Sequence, residues 1–157
     1  MFEAAERESD DVLKRFLREG LRNTTVTCVL VGKETALRRW VRYEIFRSFI
    51  RGNGLFGVRI NTIAALKSPL TEAGANPFDN LAFLVDNDRV RFKEYMTTSW
   101  QFARDVVSMP LNDVSYDLED MTYHTLANLF PLYDWDANDG YDNLGKWIES
   151  AAKQAGR

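Results

Sequence analysis

The stretch Val26-Thr27-Cys28-Val29-Leu30-Val31-Gly32-Lys33-Glu34-Thr35-Ala36-Leu37-Arg38-Arg39-Trp40-Val41-Arg42-Tyr43-Glu44 changes its hydrophobic period halfway along. Its first part, the run 25–31, is short, β-branched and almost wholly apolar, which predicts a strand covered on both faces by helices. Gly32 permits a sharp turn, and Thr35 or a neighbour starts a helix that runs to about Arg51, with Gly52 as its stop. Val41, Ile45 and Phe49 form the core stripe of that helix. Residues 55–61 (Leu-Phe-Gly-Val-Arg-Ile-Asn) form a second strand, and strand, helix, strand with short connections is by default a right-handed parallel unit.

Upstream, Ser9 is placed to cap a helix with Val12, Leu13, Phe16 and Leu17 on one face and Gly20 at its end. Downstream, Pro69, Gly74 and Pro77 break up a loop. Two apolar runs, 81–85 and 89–92, flank Asp86-Asn87-Asp88 and predict a small β-hairpin. Residues 97–120 stay open: Trp100, Ala103, Val106 and Val107 suit a helix, whereas Pro110 and the acidic residues after it suit a loop. Residues 129–135 suit an extended or edge segment, because Pro131 would remove a ladder donor from a central strand. A last helix, capped by Asp139 or Asp142, lines up Leu144, Trp147, Ile148 and Ala151 and ends before Gly156.

The chain has 157 residues, 45% of them hydrophobic, enough for one sizeable core and too few for a second full domain. One domain over residues 1–157 is the expectation. A net charge of -3 argues against a nucleic-acid partner. No apolar run approaches the roughly 18–20 residues that span a bilayer, and the acidic start lacks the layout of a signal peptide, so a cytoplasmic protein away from membranes is expected. The single cysteine, Cys28, permits neither an internal disulfide nor a multi-cysteine zinc site, and reads as a small buried hydrophobe.

Three motifs fail on their context. Gly52-Asn53-Gly54-Leu55-Phe56-Gly57 spells G-x-G-x-x-G, but it leaves a helix and enters a strand, the reverse of a dinucleotide fingerprint. A helix cap followed by a tight turn fits better. Asp134, Asp136, Asn138, Asp139 and Gly140 look like a calcium loop, but the glycine falls one place late and Gly145 stands where the bidentate glutamate belongs. His124, the only histidine, has no nucleophile near it in sequence and reads as structural or surface.

Glu44 is the residue with chemical promise. At about 100° per residue it lies beside the stripe of Val41, Ile45 and Phe49, on the side of Trp40 and Ser48. Its helix starts at the carboxyl end of a strand, where open α/β sheets bind ligands. A carboxylate partly shielded there can hydrogen-bond a ribose hydroxyl and stabilise a cationic sugar. The plain alternative is a surface glutamate paired with Arg47 or Arg51 at helical spacing, and chemistry alone favours it.

The run 25–32 together with Thr35, Arg39-Trp40-Val41-Arg42-Tyr43-Glu44-Ile45 and Gly52-Asn53-Gly54-Leu55-Phe56-Gly57-Val58 closely resembles the core of the TIR-like family of Thoeris antiphage defence. Asn76-Pro77-Phe78-Asp79-Asn80, Tyr133-Asp134-Trp135, Asp139-Gly140-Tyr141 and the stretch 147–157 resemble its later landmarks, so the resemblance spans nearly the whole chain. It implies a three-layer α/β fold, flavodoxin-like or TIR-like, with parallel strands flanked by helices and a small hairpin insertion.

In wider TIR enzymes a Trp-Val-x-x-Glu-Ile helix carries the glutamate that cleaves NAD+, and residues 40–45 match it position by position. Glu44 is then the candidate catalytic residue, and Gly32, Thr35, Arg39, Trp40 and Tyr43 the candidate substrate-binding residues. The resemblance implies NAD+ as substrate, no metal or other cofactor, a cyclic or linear ADP-ribose messenger, and a separate effector that the messenger activates.

The chain departs from the family at its start. Members usually begin with a strand of Phe-Ile-Ser type and an acidic loop, whereas Met1-Phe2-Glu3-Ala4 matches the middle of a longer relative. A start further upstream, or a naturally shortened form, is the expectation. The shortened form favours a second reading, a non-catalytic adaptor that works by homo-oligomerisation or TIR–TIR association. A receiver or nucleotide binder is a weaker third reading, for want of a phosphoacceptor cluster or phosphate loop.

Overall fold

A computed structural model describes residues 2–63, 72–118 and 123–157, and side chains from residue 7 onward. Pro69 and Asp120, which figured in the sequence reading, lie outside the described residues. The elements run in the order α1 (Phe2–Gly20), β1 (Val26–Val31), α2 (Arg39–Arg51), β2 (Gly54–Arg59), β3 (Leu81–Asp86), β4 (Arg89–Met96), β5 (Ser99–Phe102), β6 (Met109–Pro110), β7 (Tyr123–Thr125), β8 (Leu132–Asp134) and α3 (Gly140–Gln154).

The strand–helix–strand unit forms as predicted. β1 pairs with β2 in parallel, Val26 opposite Gly54 through Val31 opposite Arg59. β8 joins the far side of β2, also in parallel, giving the order β1-β2-β8. Pro131 thus precedes an edge strand, and its carbonyl still accepts the Gly57 N–H at 2.9 Å. α3 covers one face of this sheet: Trp147 and Ala151 pack on Phe56 and Val58, and the Trp147 ring stacks on Tyr133 at 4.2 Å. α2 covers the other face through Ile45, Phe46 and Phe49, all at most 1% exposed. These are the three layers expected.

The predicted hairpin is there, but it is the centre of something larger. β3 and β4 pair antiparallel around Asn87-Asp88, both in the left-handed region at φ 48° and 59°, as a tight two-residue turn requires. β5, β7 and β6 extend the hairpin into a five-stranded antiparallel sheet. Its inner face, through Phe83 and Phe92, closes on Phe49 at ring distances of 5.8 and 5.7 Å, with Tyr116 and Phe130 completing the cluster. α2 therefore lies between two sheets, which is why so much of its surface is apolar.

Several local expectations are corrected. Ser9 lies inside α1 rather than at its cap, and Val12 and Phe16 of the predicted apolar face are 52% and 71% exposed. Thr35 opens a single 3-10 turn, and the helix proper starts at Arg39. Trp100 lies on strand β5, so within residues 99–102 neither helix nor loop was correct. β1 is buried on one face only: Thr27, Val29 and Val31 point inward, while Cys28 and Leu30 are exposed. Its run of β-branched residues looks doubly covered, but among the described residues no strand pairs with β1 beyond β2, and α3 packs mainly on β2.

Candidate functional site

The G-x-G-x-x-G letters serve structure. Gly52 ends α2 at φ 72°, its N–H bonding to the Phe49 carbonyl while Asn53 N–H reaches Ser48, a left-handed helix cap. Gly54 lets β2 approach α3 so closely that a Cβ would lie 2.3 Å from the Ala151 carbonyl oxygen. The acidic turn before α3 is tied internally, with Asp134 Oδ1 accepting the N–H groups of Asp136 and Ala137. His124 stacks on Phe83 and bonds Asn128 through Nδ1.

Glu44 does not pair with Arg47 or Arg51. Among the described residues it has no ion pair and no hydrogen bond, and it lines a cleft of about 130 Å³ with Thr27, Cys28, Val29 and Leu30 of β1 and Thr35, Val41 and Ile45. Half-burial in these surroundings raises the pKa of its carboxyl above the ordinary value, because water is withdrawn from the charged form. The cleft runs along the outer edge of β1. Cys28 lines it too, and partial desolvation pushes its thiol up.

Thr35 shares the cleft with Glu44, and Gly32 is fixed to Thr35. The Gly32 N–H donates to Thr35 Oγ1 at 2.9 Å, and that hydroxyl lies 3.4 Å from the Leu30 carbonyl, to which it donates. The hydroxyl therefore closes the turn between β1 and α2. The loop at Gly74 passes just beneath, held by Arg59 Nε to the Gly74 carbonyl at 3.3 Å.

Gly32 itself is not in the lining of the cleft, and neither are the other three predicted site residues, Arg39, Trp40 and Tyr43. Arg39 points toward α1 and the loop after β5: Nε and Nη2 meet Asp105 at 2.9 and 2.7 Å, and Nη2 meets Asp10 at 2.9 Å. Lys14 adds a contact to Asp105 at 3.1 Å. These bonds hold the Asp105 carboxyl down at about 2, the hydrogen bond from Arg39 acting most strongly, and raise Arg39. The Arg39 guanidinium also lies 4.3 Å over the Trp40 ring, which meets Tyr43 edge-on at 5.8 Å. Tyr43 is only 2% exposed.

Sequence reasoning missed the carboxylates that occupy these arginines. Asp105 is 66 residues from Arg39, and Glu94 of β4 takes Arg42 at 3.4 Å. No local spacing announces such pairs. It also missed the outer side of β1 as a cleft wall, although the alternation Thr27/Val29/Val31 against Cys28/Leu30 was there to be weighed. A polar relay behind β1 joins Thr27 Oγ1 to Ser48 Oγ at 2.9 Å and Asn53 Nδ2 to Thr24 Oγ1 at 2.8 Å. The buried Tyr116 hydroxyl donates to the Asn53 carbonyl.

Among the described residues, no cluster of metal-ligating side chains forms and no helix is long and apolar enough to cross a membrane. Compared with known proteins, residues 2–65 match the family described as Thoeris protein ThsB, TIR-like domain. Over 150 residues the chain is 35% identical to a protein of Bacillus cereus (strain MSX-D12) named "Putative cyclic ADP-D-ribose synthase ThsB1", a match covering 94% of this chain and 78% of that one. The parallel unit, the Glu44 helix and these two matches agree, and the chain belongs to the TIR-like family of Thoeris ThsB proteins.

Proposed function

We propose that this protein cleaves NAD+ in antiphage defence and releases an ADP-ribose messenger, with Glu44 as the catalytic carboxylate. The observation that carries the reading is the unpaired, half-buried Glu44 in its cleft. The name of the Bacillus cereus relative supplies the substrate class and favours a cyclic product. In the reaction, the bond between the ribose C1′ and the nicotinamide nitrogen breaks. Its electron pair leaves with nicotinamide, neutralising the ring, and the sugar becomes cationic. A poorly solvated carboxylate stabilises that cation more than the neutral-sugar ground state, which is the condition for lowering the barrier. Capture by water gives linear ADP-ribose, and capture by a nucleophile of the same molecule gives a cyclic product.

Gly32 and Thr35 shape the end of the cleft, and Trp40, Tyr43 and Arg39 act by fixing the helix that carries Glu44. The scheme calls on no metal or cofactor, and the messenger acts on a separate effector in the cytoplasm. Purified protein incubated with NAD+, its products separated by chromatography and identified by mass, tests the reading. Glu44→Gln is expected to lower turnover by about 100-fold or more. Equal turnover by both proteins removes Glu44 from its role.

A second reading is a TIR-like module that works through self-association. Full-length protein that forms oligomers and leaves NAD+ intact would support it over the first.

A further inference from the structure

A second cavity, of about 430 Å³, opens where α2 meets the antiparallel sheet. Residues 42 and 44 leave a helix about 200° apart, so Arg42, which lines this cavity, and Glu44, which lines the cleft at β1, serve opposite sides of α2. Leu37 of the 3-10 turn forms one wall, and Asn80 stands just ahead of β3. Tyr95 and Met96 come from the end of β4, and Thr97 from the turn into β5. The volume falls within the ~300–1,000 Å³ common to small-molecule sites.

The polar groups of this cavity are under-used. Among the described residues the Arg42 side chain, 11% exposed, makes one ion contact, from Nε to Glu94 Oε1 at 3.4 Å, and its Nε has no hydrogen-bond partner. A guanidinium carries five N–H donors, and donors left idle at this depth cost free energy. The Asn80 carbonyl accepts the Tyr95 N–H at 2.9 Å, which ties the residue to the sheet, while its side-chain amide has no partner among the described residues. Apolar surface stands beside these groups. Leu37 is 72% exposed and Tyr95 38%, and the Tyr95 ring is held edge-on by Trp100 at 5.5 Å.

We propose that this cavity binds a purine nucleoside or nucleotide through its base. The flat ring rests against Leu37, Met96 and Tyr95. Arg42 supplies donors and Asn80 both a donor and an acceptor, which suits a purine edge, where ring-nitrogen acceptors stand beside an exocyclic group. Glu94 already opposes the Arg42 charge, so a phosphate gains little here and the base carries the affinity. The walls share no residue with the Glu44 cleft, and the inference does not depend on whether the protein turns over NAD+.

Titration calorimetry of the full chain with adenosine, AMP and inorganic phosphate tests the assignment. Adenosine and AMP should bind with affinities within about threefold of each other, and phosphate should not compete. Asn80→Ala and Leu37→Glu should each weaken both ligands roughly tenfold or more. Neither should lower the melting temperature of the unliganded protein, because the Asn80 amide has no partner to lose and Leu37 is exposed. Glu44→Gln should leave the binding unchanged.

A chain that takes up neither purine at about 1 mM overturns the proposal. So does binding that phosphate competes away, since the cavity would then be an anion site. Binding that Glu44→Gln abolishes while Asn80→Ala and Leu37→Glu leave it intact overturns it too, by placing the purine in the Glu44 cleft. NAD+ turnover by a protein that binds neither purine keeps the enzyme reading and discards this one, whereas binding without turnover does the reverse.

Discussion

Arg39 grips Asp105 through two parallel bonds, Nε to Oδ2 at 2.9 Å and Nη2 to Oδ1 at 2.7 Å. Residue 39 opens α2 and residue 105 lies beyond β5, so the pair fastens the parallel half of the molecule to the antiparallel half. Asp10 and Lys14 bring α1 into the same knot.

The Asp105 side chain is only 8% exposed, so removing it leaves a guanidinium partly buried without its main partner. Asp105→Ala is expected to cost about 2–3 kcal/mol in urea unfolding, below the full cost of a buried pair because Arg39 keeps Asp10 and some water. The pH dependence has a definite sign. A carboxyl held at about 2 in the fold and near ~3.9 unfolded contributes stability above the unfolded value, and loses it as pH falls toward 2. The gap in stability between wild type and Asp105→Ala should therefore narrow between about pH 4 and pH 2. A gap that stays constant across that range would show that Asp105 acts through packing alone.

Two glycines should respond in opposite directions. Gly54 faces the backbone of Ala151 and Ala152, which cannot swing aside as a flexible side chain would, so Gly54→Ala must push α3 off the sheet. A loss of about 3 kcal/mol is expected. Gly145 lies on the exposed side of α3 with nothing within 4 Å of its would-be Cβ. Gly145→Ala should gain about 0.5–1 kcal/mol by restricting the unfolded chain. Thermal melts of the two variants beside wild type check both signs together.

Thr35 offers a way to separate a structural hydroxyl from a substrate-binding one. Its Oγ1 already accepts the Gly32 N–H and donates toward Leu30. Thr35→Val should lower stability by about 1 kcal/mol, and Thr35→Ser should restore it. If Thr35→Val leaves the melting temperature unchanged and alters only NAD+ turnover, the hydroxyl serves substrate rather than the turn.

What the sequence made legible follows from how local each signal was. The β1–α2–β2 unit was readable because its periods, its cap at Gly52 and its short connections all lie within 35 residues. The β3–β4 turn was readable because Asn87-Asp88 is itself the turn signal. The extent of the antiparallel sheet was not, since Trp100 of β5 also falls at helical spacing with Ala103, Val106 and Val107, and β7 has three described residues. Glu44 was singled out by its place on a helix and by the family resemblance, but its surroundings depend on β1 having, among the described residues, no strand beyond it. An apolar run cannot reveal that, because β-branched residues suit an edge as well as a centre. The ion pair of Arg39 was not legible for a related reason: its partner lies 66 residues away and leaves no trace in local spacing.

Glu44 itself yields a test that needs no substrate. Desolvation raises its pKa in the fold, so the folded protein holds a proton more tightly than the unfolded chain does. Stability then falls as pH rises from the unfolded value, near ~4.3, through the raised folded value, and the penalty is fully present above it. Glu44→Gln removes the charge while keeping the shape. It is therefore expected to melt higher than wild type at pH 7, and the advantage should disappear below pH ~4, where both side chains are neutral. The gain should coincide with loss of NAD+ turnover, the combination expected when a carboxylate is kept at a cost to the fold for its chemistry. A variant that melts lower than wild type at pH 7 would show that the Glu44 charge is satisfied in the fold, and the case for a poised carboxylate would fail with it.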